Sequence, residues 1–147
     1  MALIDTLLAD IKEAMKARDA VKTTALRGLN AQIKDATVNA GKPLTDEAVV
    51  MCVNKAIKQR EDSIEQFTKG GREDLVAKEQ AELELIRKYQ PKQLTREEVE
   101  VVVKNAIVST GISSKKEMGK LMGAVMPQVK GKVDGKIVKD VVNALLQ

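Results

Sequence analysis

Apolar residues return every three or four positions along almost the whole chain, and this helical period constrains the fold more than any other feature. Leu3, Ile4, Leu7, Leu8, Ile11, Ala14 and Met15 lie on one stripe of a first helix. A second helix runs from about Asp19 to Ala40, with Ala25, Leu26, Leu29, Ile33 and Ala36 inward, and Gly41 and Pro43 mark the loop after it. Thr45 is a good N-cap for a third helix whose inner face holds Val49, Val53, Ala56, Ile57, Ile64 and Phe67. Gly70-Gly71 breaks the chain, and a fourth helix from about Glu73 to Tyr89 turns Leu75, Val76, Leu83 and Ile86 inward before Gln90-Pro91 ends it. Four amphipathic helices with short connections imply an antiparallel bundle over residues 1–90.

Residues 91–147 read as a smaller domain of three helices. Thr95-Arg96-Glu97-Glu98 is a capping-box pattern, which favours helix over strand for the valine-rich run behind it. Ser114-Lys115-Lys116-Glu117 repeats the pattern, and Pro127 is expected to close that second helix. Asp134 is placed to cap the last helix, striped by Ile137, Val138, Val141, Val142 and Leu145. The expected fold class is all-α, a bundle of about four helices followed by a small three-helix domain.

The chemistry the chain lacks narrows its function. It has no histidine and one cysteine, Cys52, which sits in the apolar run AVVMCV and reads as a small buried hydrophobe. Neither a zinc knuckle nor a Ser-His or Cys-His arrangement can be built from this set. No phosphate loop or dinucleotide fingerprint is present. The expectation is a non-enzyme with no metal and no cofactor. No apolar run approaches the ~20 residues that span a bilayer, and the N-terminal segment does not read as a signal peptide. The expected location is therefore cytoplasmic, with no membrane partner.

Three polar residues stand where core residues are expected. Arg60 lies between Ile57 and Ile64 on the third helix, and Glu79 and Glu82 lie on or beside the inner stripe of the fourth. Measured from the Gly70-Gly71 turn, these positions face each other in an antiparallel hairpin, so Arg60 is expected to pair with Glu79 or Glu82. Such a pair fixes register more surely than it adds stability. On the second helix, Arg27, Asn30 and Lys34 form a polar stripe that reads as a solvated face or an auxiliary contact.

Charge is uneven. Residues 1–90 hold 15 basic and 15 acidic side chains, whereas residues 91–147 hold 10 and 6 and carry the whole net +4. Seven lysines between 113 and 139 stand against Glu117 and Asp134 alone. Within this stretch Gly119 and Gly123 share a face of a short helix, a strip without side chains where another backbone can come close. That strip could equally receive a neighbouring helix, with Met118, Met122 and Met126 filling gaps. Lys130-Gly131-Lys132 sits in a loop just before a helix start, where backbone N–H groups and the helix dipole favour anions.

LRGLNAQIKDA at 26–36, KQREDSIEQFTKGGREDLVAKEQAELELIRKYQPKQL at 58–94 and MGKLMGAVMPQVKGKVDGKIV at 118–138 resemble the GatB/YqeY family, in order and over nearly the whole chain. The resemblance implies a helical bundle followed by a three-helix domain. It also implies a partner. A similar domain forms the tail of the B subunit of the glutamine-dependent amidotransferase acting on misacylated tRNA, and related domains are appended to some glutaminyl-tRNA synthetases. There the tail binds the body of the tRNA. Carried over, that role falls on Gly119, Gly123, Lys130, Gly131 and Lys132, with Lys115, Lys116, Lys120 and Lys136 added from charge. The expected function is a non-catalytic tRNA-binding module, accessory to tRNA aminoacylation or amidation. The alternative is an adaptor docking on an aminoacyl-tRNA synthetase, an amidotransferase subunit or another protein.

Overall fold

The computed structural model describes residues 2–146, which form seven α-helices and no strand. The chain divides into two compact units, Met1–Gln90 and Pro91–Gln147.

The first unit holds α1 (Leu3–Lys16), α2 (Ala20–Ala40), α3 (Asp46–Lys69) and α4 (Glu73–Arg87). Local chemistry sets their ends. The Asp19 carboxylate accepts the Lys22 N–H at 3.1 Å and starts α2, and the Thr45 hydroxyl accepts the Ala48 N–H at 3.2 Å and starts α3. Gly41 stops α2 in the left-handed conformation, φ +70°, which a Cβ would disfavour. Each helix packs on the next, and α2 also meets α4. Leu7, Leu26, Leu29, Val49, Val53 and Ile86 are the most fully enclosed members of the shared core. The fourth helix stops at Arg87 instead of Tyr89. Tyr89 folds inward after it, and its hydroxyl donates to the Asp10 carboxylate on α1. Burial, reinforced by that carboxylate, pushes the Tyr89 phenol well above its usual range.

The second unit holds α5 (Arg96–Thr110), α6 (Met118–Val129) and α7 (Gly135–Leu145), all in mutual contact. The capping box at Thr95 and Glu98 is complete, and the valine-rich run is helical. Val99, Val103, Leu121, Val125, Val129, Val138, Val141 and Val142 form a fully buried core without a polar member. Two local expectations change. Ser114 caps a three-residue 3₁₀ turn, Lys115–Glu117, and α6 proper begins after it. Pro127 does not close α6 but lies inside its last turn. There its ring is tolerated, at the cost of the N–H that would have bonded the Gly123 carbonyl.

Candidate nucleic-acid interface

The exposed side of α6 is unusual in what it lacks. Leu121, Val125 and Val129 point into the core, and Met118, Met122 and Met126 pack half-buried along its edge. The methionines are thus core-filling groups rather than an outward docking stripe. The opposite side presents Gly119, Lys120, Gly123, Pro127 and Gln128. A Cβ added at Gly119 or at Gly123 would meet nothing within 4 Å. No neighbouring helix of the chain occupies the strip, so packing within the described residues does not account for the two glycines.

Lysines stand in α6 and in the segments on either side of it in sequence. Lys115 and Lys116 lie in the 3₁₀ turn and Lys120 in the first turn of α6. Lys130 and Lys132 flank the turn after α6, and Lys136 stands in the first turn of α7. All six are exposed. Lys115, Lys116, Lys120, Lys132 and Lys136 make no ion pair among the described residues. Lys139, three residues beyond Lys136 on α7, is also exposed.

The Lys130-Gly131-Lys132 turn is built rigidly. Gly131 takes φ +80°, open to glycine and costly for other residues. The Leu94 N–H bonds the Lys132 carbonyl at 2.7 Å, and the Gln93 side-chain amide bonds the Gly131 carbonyl at 3.2 Å. The segment before α5 thus holds the turn in place. One part of the anion reading is corrected. The N–H groups of Lys130 and Lys132 bond the Met126 and Val129 carbonyls, closing α6. At the start of α7 the Asp134 carboxylate already accepts the Lys136 N–H at 3.0 Å. These three backbone donors are spent on caps, which leaves more of the anion attraction at this site to the lysine ammonium groups.

In the first unit, Arg60 Nη1 donates to Glu79 at 3.1 Å and also to Glu82. Glu82 is the one buried charged residue among those described, at 6% exposure. Arg60 therefore bridges both candidate partners instead of choosing one. Burial raises the Cys52 thiol above its ordinary value against the smaller pull of Lys55. The described residues include no group of three or more His, Cys, Asp or Glu side chains that could hold a metal ion. No helix among them is long and apolar enough to cross a membrane.

Two helical units, the second with two unobstructed glycines on the exposed side of α6, define an all-α protein. The chain belongs to the YqeY-like family, whose model, described as Yqey-like protein, matches residues 4–146. Among curated proteins it is similar to altered inheritance of mitochondria protein 41, mitochondrial, from three yeasts. Identity is 42% over 87 residues in Lachancea thermotolerans, covering 58% of this chain and 46% of the relative. It is 40% over 89 residues in Saccharomyces cerevisiae, covering 60% and 48%. In Eremothecium gossypii it is 44% over 84 residues, covering 56% and 46%. The chain spans about half the length of the curated relatives it matches. Their names do not indicate catalysis. They do correct the cytoplasmic expectation: the relatives are named as mitochondrial proteins, which points to the mitochondrion instead.

Proposed function

We propose that the second unit is a non-catalytic tRNA-binding module that reads backbone and shape, accessory to tRNA aminoacylation or to glutamine-dependent tRNA amidation. The carrying observation is two unobstructed glycines on α6 together with exposed lysines on that helix and on the segments next to it in sequence. A strip without side chains lets a sugar-phosphate backbone approach the helix, and the ammonium groups neutralise its phosphates. Base stacking has little part in this reading. The chain's two aromatics, Phe67 and Tyr89, both belong to the first unit, and Tyr89 is buried. The resemblance to the amidotransferase tail supports tRNA as the RNA in question.

The test is tRNA binding by the whole chain across a salt series. About four phosphate contacts give a slope of log affinity against log salt near −3. Replacing Lys120 and Lys132 by alanine removes about two of them, which halves the slope and weakens binding at least tenfold. A salt-independent complex, or a variant that binds as wild type does, overturns the reading.

A second reading, docking on a synthetase, an amidotransferase subunit or another protein, draws on α5. Val101 and Val108, seven residues apart, are 56% and 83% exposed. In that case Val101→Ser/Val108→Ser abolishes capture of the partner while leaving tRNA binding intact.

A further inference from the structure

The first unit contains a polar groove that the lysine face does not explain. It is lined by Gly28 and Gln32 of α2, Gln59, Arg60 and Ser63 of α3, and Glu79 of α4. Gly28 and Gln32 are four apart and so lie one turn above the other on the same face. The Gln32 amide N–H bonds the Gln59 side-chain carbonyl at 2.8 Å across the groove.

Three observations set this place apart from a solvated seam. First, the Gln32 side-chain oxygen is out of reach of solvent and has no hydrogen-bond partner, the one such side-chain atom among the described residues. Turning both amides over would only exchange an orphan acceptor for an orphan donor, so the unsatisfied group belongs to the site whichever way the pair is assigned. Second, Arg60 uses only Nη1 for Glu79 and Glu82, so Nε and Nη2 make no bond among the described residues. Third, Gly28 sits in the interior of α2 without a fold reason. Its φ is not positive, and a Cβ there would meet only Arg60 Nη2, at an ordinary 3.8 Å. Glycine weakens a helix relative to alanine. What its absent side chain leaves open is the approach to the spare face of the Arg60 guanidinium.

These groups specify a ligand chemistry. Arg60 supplies donors and wants a carbonyl. The Gln32–Gln59 pair supplies an acceptor: whichever way the two amides are turned, the bond across the groove contains one carbonyl oxygen with a second lone pair, and it wants an N–H. One arginine against two glutamates leaves the cluster at net −1, which disfavours phosphate and carboxylate. We propose that this groove binds a neutral, planar group presenting a carbonyl beside an N–H, the edge shared by primary carboxamides and by the uracil base. The ligand's carbonyl faces Arg60 and its N–H faces the Gln32–Gln59 pair.

The experiment uses the full chain labelled with ¹⁵N, titrated separately with uridine, propionamide and inorganic phosphate. At least one of the two neutral probes is expected to shift the side-chain amides of Gln32 and Gln59 saturably, and phosphate is expected to leave them unmoved. Gly28→Leu, checked for retained helicity, fills the approach and abolishes the shifts. Gln32→Met keeps the volume, removes one amide of the pair and weakens binding at least tenfold, and it carries the test if Gly28→Leu does not fold. Uridine alone identifies a nucleobase site and propionamide alone a carboxamide site, while response to both means that the shared edge suffices. No saturable shift with either neutral probe, shifts that persist in both variants, or a site that takes phosphate instead overturns the proposal. No tRNA is present in the assay, so its result is independent of the lysine face.

Discussion

The two units use charge in opposite ways. The first is electrically balanced and turns polar groups inward: Arg60 bridges Glu79 and Glu82, and Tyr89 reaches Asp10. The second carries the whole net charge, has a core of aliphatic side chains alone, and leaves its lysines exposed, with Lys115, Lys116, Lys120, Lys132 and Lys136 in no ion pair among the described residues. The difference follows from helix length and periodicity. Long helices such as the 24-residue α3 can slide against a neighbour by a turn and still bury apolar groups, so a buried ion pair is useful for register. Helices of 11 to 15 residues with dense valine stripes gain less from such a device, and their charge is available for a partner. Charge in the first unit thus belongs to the fold, and under the proposed function charge in the second belongs to recognition.

The sharpest break of this comparison is Glu82→Ala. It leaves a cavity and strips Arg60 of its buried partner, so the first unit should lose about 3 kcal/mol, read from urea unfolding. Lys120→Ala, the same kind of deletion in the second unit, should change stability by less than about 0.5 kcal/mol. Equal effects would erase the distinction. Tyr89→Phe comes next, at about 1.5 kcal/mol near neutral pH for a hydrogen bond to a charged acceptor. Its pH dependence has a definite sign. The folded-state phenol is raised above its unfolded value, so its contribution is whole below about pH 10 and is lost as pH rises beyond that. Wild type should therefore lose stability more steeply than Tyr89→Phe between about pH 10 and pH 11, measured by thermal melts.

Much of this was legible in the chain itself. The helical stripes, the turns at Gly41 and Gly70-Gly71 and the caps at Thr45 and Thr95 are local features, set by residues within one turn of each other. Arg60 facing Glu79 and Glu82 was legible too, because the position of the hairpin turn sets which residues oppose. Misreadings came where two local signals compete. Pro127 marks a helix end by its chemistry, but it costs α6 only the one bond to the Gly123 carbonyl, and Val129 beyond it has a core to reach. Lys130 to Lys136 looked like a nest of free N–H groups, but Asp134 and the carbonyls of α6 take several of them. The Gln32–Gln59 groove was not legible at all. It depends on the side-by-side packing of α2 and α3, and glutamine carries no periodic signal that separates a groove from a solvated face.

Gly123→Ala is expected to change stability by less than the Glu82 and Tyr89 variants do, and its sign is opposite to theirs. In most cores a helix glycine is kept because a neighbour presses on it, and a methyl group there destabilises by overpacking. Here nothing lies within 4 Å of the added Cβ, and φ is not positive. The substitution removes only the entropic cost of glycine in a helix, so the second unit should gain about 0.7 kcal/mol. If the strip receives an RNA backbone, the same methyl group stands in the way of close approach, and tRNA affinity should fall while the salt slope stays near its wild-type value. Lysine removal should do the reverse, lowering the slope and leaving stability unchanged. A Gly123→Ala variant that is more stable and binds tRNA as well as wild type does would show that the strip plays no part in binding, leaving the lysines to act alone. A variant that is less stable would show that the strip is filled by protein in solution, and the comparison between an inward-looking first unit and an outward-looking second would fail at its central residue.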